Sequence, residues 1–220
     1  MQPPQPQQED ILVWFLKVWG QIEANYIRIL TGFGIAIVAA LIVLFFYRTQ
    51  TQRADAARIA LGDVYIALYE GRVEDALAAS QEVMETYAGE AEAGEALMAL
   101  ANLHYEEGRI AEARTYFQQY LNEYPTDGPL GYGAWSGLAS CLESEEKFSE
   151  AGQQFAAFAE AHPGSPFAPI ALKEAGRCYE LGKMPQQASD AYQKIVKEYN
   201  ASSAARFARG QLNMMGIEID

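Results

Sequence analysis

The chain has 220 residues, half of them hydrophobic, with a formal charge of -13 and a pI near 4.6; this excludes a wholly disordered chain and leaves room for one packed domain plus an appendage. With 29 acidic residues against 16 basic ones, nucleic acid is excluded as a partner, because phosphate binding needs Lys and Arg to displace counterions. Cys141 and Cys178, the two cysteines, are too few for a disulfide scaffold or a zinc site. Both sit in helical patterns among small residues and read as small buried side chains, with a disulfide left open should the compartment be oxidising.

The first eight residues, MQPPQPQQ, hold three prolines and no charge, and are expected to form a disordered tail over 1–8. In EDILVWFLKVWGQIEANYIR (9–28), Ile11, Leu12, Phe15, Leu16, Trp19 and Ile22 recur near helical spacing, which predicts an amphipathic interfacial helix. Trp14, Trp19 and Tyr26 are its candidate membrane-interface residues, since an amphipathic ring sets its body in acyl chain and its polar atom among headgroups. Residues 29–47, ILTGFGIAIVAALIVLFFY, carry no charge. At a rise of about 1.5 Å per residue this stretch reaches the roughly 30 Å hydrocarbon core as a single transmembrane helix. It exceeds the apolar run of about 7 to 15 residues in a signal peptide, and Arg48 and Arg53 precede the Ala54-x-Ala56 pair, so it is expected to stay as an anchor. Lys17 and Arg28 lie before the span and Arg48, Arg53 and Arg58 after it; the count slightly favours a cytoplasmic C-terminal side, but that margin of one positive residue leaves the topology nearly open.

Helix-period patterns then run to the end, punctuated at regular intervals. The tetratricopeptide pattern appears as Leu97-x2-Leu100-Ala101-x2-His104, Ala113-x3-Phe117 and Pro125, and again as Trp135-x2-Leu138-Ala139-x2-Leu142, Ala151-x3-Phe155 and Pro163. A third copy reads Leu172-x2-Ala175-Gly176-x2-Tyr179 and Ala188-x3-Tyr192, and a degenerate one opens at Leu61-Gly62-x2-Tyr65. The alanines at 76, 113, 151 and 188 are 37, 38 and 37 apart, a regularity that marks stacked repeats. Ala101, Ala139 and Gly176 are expected to admit a neighbouring helix closely, and Phe117, Phe155 and Tyr192 to fill the space between hairpins. Gly71, Gly108 and Gly182 are expected to end first helices in the left-handed conformation, with Glu146 in the glycine position of another copy. Because the period exceeds the usual ~34 residues, the connections between hairpins should be lengthened. Residues 202–215 read as a closing helix. The fold class is thus all-α: one N-terminal transmembrane helix, then a tetratricopeptide-like right-handed α-solenoid of about four hairpins over 48–220 with a C-terminal capping helix.

No phosphate loop, GxSxG or HExxH motif occurs, so no catalytic, cofactor-binding or metal-ligating residue is assigned and an enzyme is not expected. His104 and His162 occupy a repeat slot and a position before a stopping proline; both read as structural. The acids of EEGRIAEA and ESEEKFSEA read as a solvated surface. Stacked hairpins bind through the concave face lined by their first helices. The candidate partner-binding residues there are Asn102, Tyr105, Glu106, Ser140, Glu143, Lys173 and Arg177, facing a protein and no small-molecule substrate.

The span, the juncture YRTQTQRADAARIALGDVYIALYEG, the degenerate repeats and the terminal QLNMMGIEI resemble the YfgM-type family, ancillary subunits of the bacterial SecYEG translocon, over roughly residues 29–220. The resemblance implies an inner-membrane anchor, a periplasmic repeat domain, and a chaperone-like role beside the Sec translocon with a periplasmic chaperone or exported clients as partners. The aromatic helix before the span departs from that family and brings another membrane partner into play. FQQYLNEYP and FAAFAEAHPGSPFAPIALKEAG are also similar to repeats of the barrel-assembly lipoprotein and the division coordinator of the envelope. Such a lipoprotein would need a cysteine after its signal, whereas both cysteines here lie far downstream. A structural subunit of another large membrane complex is the competing expectation.

Overall fold

The computed structural model describes residues 8–218, so the expected tail falls outside the described residues except for Gln8, where the first helix opens. The chain divides into two units, Met1–Arg53 and Ala54–Asp220. Nine helices and no strand occur among the described residues: α1 (Gln8–Tyr69), α2 (Val73–Thr86), α3 (Ala91–Glu106), α4 (Ile110–Glu123), α5 (Pro129–Ser144), α6 (Phe148–Ala161), α7 (Ala168–Leu181), α8 (Pro185–Glu198) and α9 (Ser203–Met214).

In the first unit, the expected segments 9–28 and 29–47 both belong to α1, which has no helix end at either boundary. Among the described residues one helix, from Tyr26 onward, is long and apolar enough to cross a membrane, and its apolar window is unburied. Thr31 Oγ1 donates to the Ile27 carbonyl at 2.9 Å and Thr49 Oγ1 to the Phe45 carbonyl at 3.0 Å. The hydroxyls near both ends of the apolar stretch are thereby satisfied within the helix.

The second unit is an array of hairpins: the last turns of α1 with α2, then α3/α4, α5/α6 and α7/α8, closed by α9. Ala76, Ala113, Ala151 and Ala188 are all fully buried, because at these positions the two helices of a hairpin approach too closely for a larger side chain. Ser202 caps α9, its Oγ accepting from the Ala205 N–H at 3.2 Å. The connections between hairpins, at 87–90, 124–128, 162–167 and 199–202, are longer than the three-residue turns within them.

Each of those inner turns ends its first helix in one way. The N–H groups of Arg72, Arg109, Lys147 and Met184 reach back to the carbonyls of Ala67, His104, Leu142 and Tyr179 at 2.8–2.9 Å, the six-to-one bond of a Schellman motif. The residue before each donor has positive φ: Gly71 at 69°, Gly108 at 73°, Glu146 at 58° and Lys183 at 58°. The expectation for Gly182 is therefore corrected. Its φ is -74°, and the left-handed position falls one residue later, on Lys183, because the hydrogen-bond register and not the nearest glycine sets it. A left-handed non-glycine residue costs about 1–2 kcal/mol, partly offset by the greater freedom of glycine in the unfolded chain. Lys183→Gly should accordingly raise the unfolding free energy by about 0.5–1 kcal/mol in urea melts, whereas Gly182→Ala should not lower it through backbone strain.

Aromatic rings seat in glycine notches. A Cβ at Gly137 would lie 2.4 Å from Phe117 Cζ, and one at Gly176 would lie 2.3 Å from Tyr192 Cε1. Phe117 thus locks α4 onto α5 of the next hairpin, and Tyr192 locks α8 onto α7. The buried residues form two clusters at α1–α3, one from α3 to α5 and one from α5 to α9, the quasi-one-dimensional core of a stacked array.

Candidate functional site

The first helices of successive hairpins are α1, α3, α5, α7 and finally α9. Side chains reach from one to the next at intervals of 30–39 residues, so these helices share one face. Arg58 Nε donates to Glu92 Oε1 at 3.0 Å and Tyr65 OH to Glu95 Oε2 at 3.1 Å, joining α1 to α3. Tyr105 OH lies 3.1 Å from Ser144 Oγ. Since Ser144 gives its proton to the Ser140 carbonyl at 3.0 Å, Tyr105 is the donor, joining α3 to α5. Arg177 grips Glu143 with two bonds, Nη2 to Oε1 at 2.7 Å and Nη1 to Oε2 at 2.9 Å, joining α5 to α7. Lys173 Nζ sits 5.7 Å from the Phe207 ring centroid, joining α7 to α9.

This ladder divides the seven candidate residues. Glu143, Lys173 and Arg177 form a closed network with Glu174, which accepts from Arg177 Nε at 2.7 Å and pairs with Lys173 Nζ at 2.9 Å. Burial alone would raise the pKa of Glu174, but hydrogen bonds from Arg177 and Lys173 outweigh it and the net direction is down. Glu174 is thereby held ionised. Tyr105 is spent on Ser144, while Ser140 contributes only its backbone carbonyl, to Ser144 one turn along the same helix. Asn102 and Glu106 have no hydrogen-bond or ion-pair partner among the described residues, and both line a groove between α1, α3 and α5. Its volume is about 290 Å³. Leu68, Met98, Ala99 and Leu103 supply apolar lining, Leu130 stands at α5, and Tyr65 and Glu95 add polar groups. Burial first, then the Glu95 hydrogen bond, raises the pKa of Tyr65, which keeps the phenol neutral and donating. The groove therefore carries apolar lining, two carboxylates and one uncommitted amide.

A second groove, about 560 Å³, lies between the second helices α4 and α6. Gln118, Gln119, Asn122 and Gln154 line it over Leu138 and Leu142. Sequence reasoning missed it. The run TYFQQYLN holds its signal, a string of amides on one helix face, but nothing local says that α6 closes the other side.

Trp14, Trp19 and Tyr26 are exposed on α1, with the Trp19 ring stacked on Phe15 at 6.2 Å. His104 packs against Tyr116 at 5.0 Å, and burial followed by Arg109 lowers its pKa, which favours the neutral ring. His162 lies 3.3 Å from Thr126 Oγ1 through Nε2 and 4.9 Å from the Phe158 ring. His104 thus packs between α3 and α4, and His162 sits in the connection after α6 against the one after α4. Cys141 and Cys178 are free and fully buried. Burial pushes Cys141 up to about 11 and, with Glu143 adding to it, Cys178 up to about 12. Neither thiol should react with a disulfide reagent at pH 8 while the chain is folded, and both should react on unfolding; rapid native labelling would refute that burial. Among the described residues no three His, Cys, Asp or Glu side chains cluster as metal ligands.

An array of helix pairs locked by alanines and aromatic rings, with a laterally connected inner face, is the architecture of a repeat protein that binds others. The family model for a tetratricopeptide repeat-like domain matches residues 17–216, and the chain belongs to that family. Among solved structures it is similar to a tetratricopeptide repeat protein from Parabacteroides merdae, at 16% identity and a TM-score of 0.56 over 70% of this chain and 57% of that one. It is also similar to YrrB, a tetratricopeptide protein described as having an unusual peptide-binding site, at 21% identity and a TM-score of 0.50 over 70% and 75% of the two chains. A third is the putative kinesin light chain repeat structure of Podosopora anserina, at 15% identity and a TM-score of 0.50 over 68% and 77%. At these identities the likeness is one of fold. No curated protein matches the chain significantly.

Proposed function

We propose that the chain is a membrane-anchored interaction scaffold of the bacterial envelope that holds a partner segment in the groove between α1, α3 and α5. The carrying observation is the pair Asn102 and Glu106, without a hydrogen-bond or ion-pair partner among the described residues and beside apolar lining, whereas Tyr105, Glu143, Lys173 and Arg177 are engaged with neighbouring helices. A segment with apolar side chains and a Lys or Arg fits this chemistry, since Glu95 and Glu106 favour positive charge and Asn102 offers both a donor and an acceptor to a peptide backbone. The peptide-binding site named for YrrB supports binding of this kind. The exposed apolar helix from Tyr26 supports a single span in the inner membrane with Tyr26 at its interface; Trp14 and Trp19 would reach the same interface only if α1 bends between Trp19 and the span.

The resemblance to the YfgM-type family supports the finer reading: the repeat domain is periplasmic and serves the Sec translocon, its exported chains and a periplasmic chaperone, by binding without turnover. A single exposed cysteine at Glu82→Cys tests the topology, since the native thiols are buried. Labelling by an impermeant reagent in intact spheroplasts is the expected result, and labelling only after lysis rejects the periplasmic assignment. Purification in mild detergent should then recover translocon subunits or exported chains; a fixed stoichiometry with an unrelated membrane complex would reject the Sec reading.

A further inference from the structure

The outward face of α1 in the second unit is apolar and uncovered. Ile59, Ile66 and Tyr69 are 72%, 52% and 93% exposed, and a Cβ at Gly62 would meet nothing within 4 Å. At the other end of the array, α9 exposes Arg206, Arg209 and Asn213 together with Phe207 and Met214, a more mixed face than that of α1.

Positions 59, 62, 66 and 69 step by three, four and three residues, the seam of a coiled coil, with Gly62 permitting close approach. From this we infer that the face packs against the same face of a second copy, parallel and in register. Charge decides the occupant and the direction. Beside the seam lie Arg58 and Tyr65 on one flank and Asp63 and Glu70 on the other. In a parallel pair Arg58 faces Asp63 of the second copy, the flank-to-flank pairing that sets partner choice in coiled coils. Antiparallel pairing would instead bring Asp63 of one copy against Glu70 of the other, offering no cation but Arg72, which Glu70 and Asp75 already hold. Arg58 is 67% exposed even with its bonds to Glu92 and Asp55, and Asp63 has no partner among the described residues. A seam of four positions is short by the standard of stable interfaces, so the pairing gains from confining both copies to one bilayer. In that respect it rests on the anchoring proposed above, and in the choice of surface it does not.

The test uses the full chain in lipid vesicles, with one cysteine at a time at Ile59→Cys, Ile66→Cys or Glu82→Cys, under mild oxidation. Carbonate extraction of the same vesicles reports the anchor separately, and circular dichroism confirms that each variant is folded. Disulfide dimers should form at Ile59→Cys and Ile66→Cys about tenfold more than at Glu82→Cys. A mixture of Ile59→Cys and Tyr69→Cys chains should give mainly like-with-like dimers. Equal yields at all three sites, no dimer in vesicles that retain the chain after extraction, or a dominant 59-to-69 crosslink would each overturn the proposal.

Discussion

Phe117→Ala is expected to lower the unfolding free energy by about 3–5 kcal/mol, the range for removing a buried phenylalanine ring. Phe117 is 1% exposed and fills the notch at Gly137 on the next hairpin. Its loss leaves a cavity that α4 and α5 cannot close without abandoning the packing of Ala113 and Ala134 beside it. In a stacked array, stability is carried by each hairpin and by the interface to its neighbour. The variant should therefore do more than melt early: its urea transition should broaden or split as the α5–α9 end outlives the α1–α4 end. A single sharp transition shifted by less than about 1 kcal/mol would show that the ring does not bear the interface.

Gly176→Val should destabilise by about 3 kcal/mol, the upper end of the usual overpacking range, because the new Cβ would overlap the Tyr192 ring. Tyr192 is fully buried, so the ring has nowhere to swing. The intrinsic gain on replacing a helical glycine by valine is only a few tenths of a kcal/mol. Two residues sharing one notch should also couple. With Tyr192→Leu in the background, Gly176→Val should cost less by 1 kcal/mol or more in a double-mutant cycle. Additive effects would mean that ring and notch are not in contact.

The hairpins were legible because their signal is local and periodic. Ala76, Ala113, Ala151 and Ala188 each need only a small residue at a fixed spacing, and each is fully buried. The glycine notches were half legible. Gly176 stood in the small-residue slot of the pattern, but Gly137 reads in isolation as a weak helix position, and only the ring arriving from twenty residues earlier explains it. The left-handed turn was misplaced at Gly182 because glycine is the usual occupant, whereas the backbone register demands Lys183. The inner face was legible as a set of residues and not as a set of pairs. Glu143 and Arg177 were singled out separately, yet they are 34 positions apart and satisfy each other. That pairing takes Glu143 and Arg177 out of the candidates and leaves Asn102 and Glu106 as those that line a groove without a partner among the described residues. The amide groove between α4 and α6 was invisible for the same reason, since its second wall comes from another repeat.

Site-specific photocrosslinking in cells, with the reactive side chain at Asn102 in one strain and at Gln118 in another, tests the central claim most directly. The inner-face account predicts adducts from Asn102 with translocon subunits or exported chains, weakened when Glu106 is replaced by lysine. Adducts of those proteins from Gln118 in the α4–α6 groove, with none from Asn102, would contradict it.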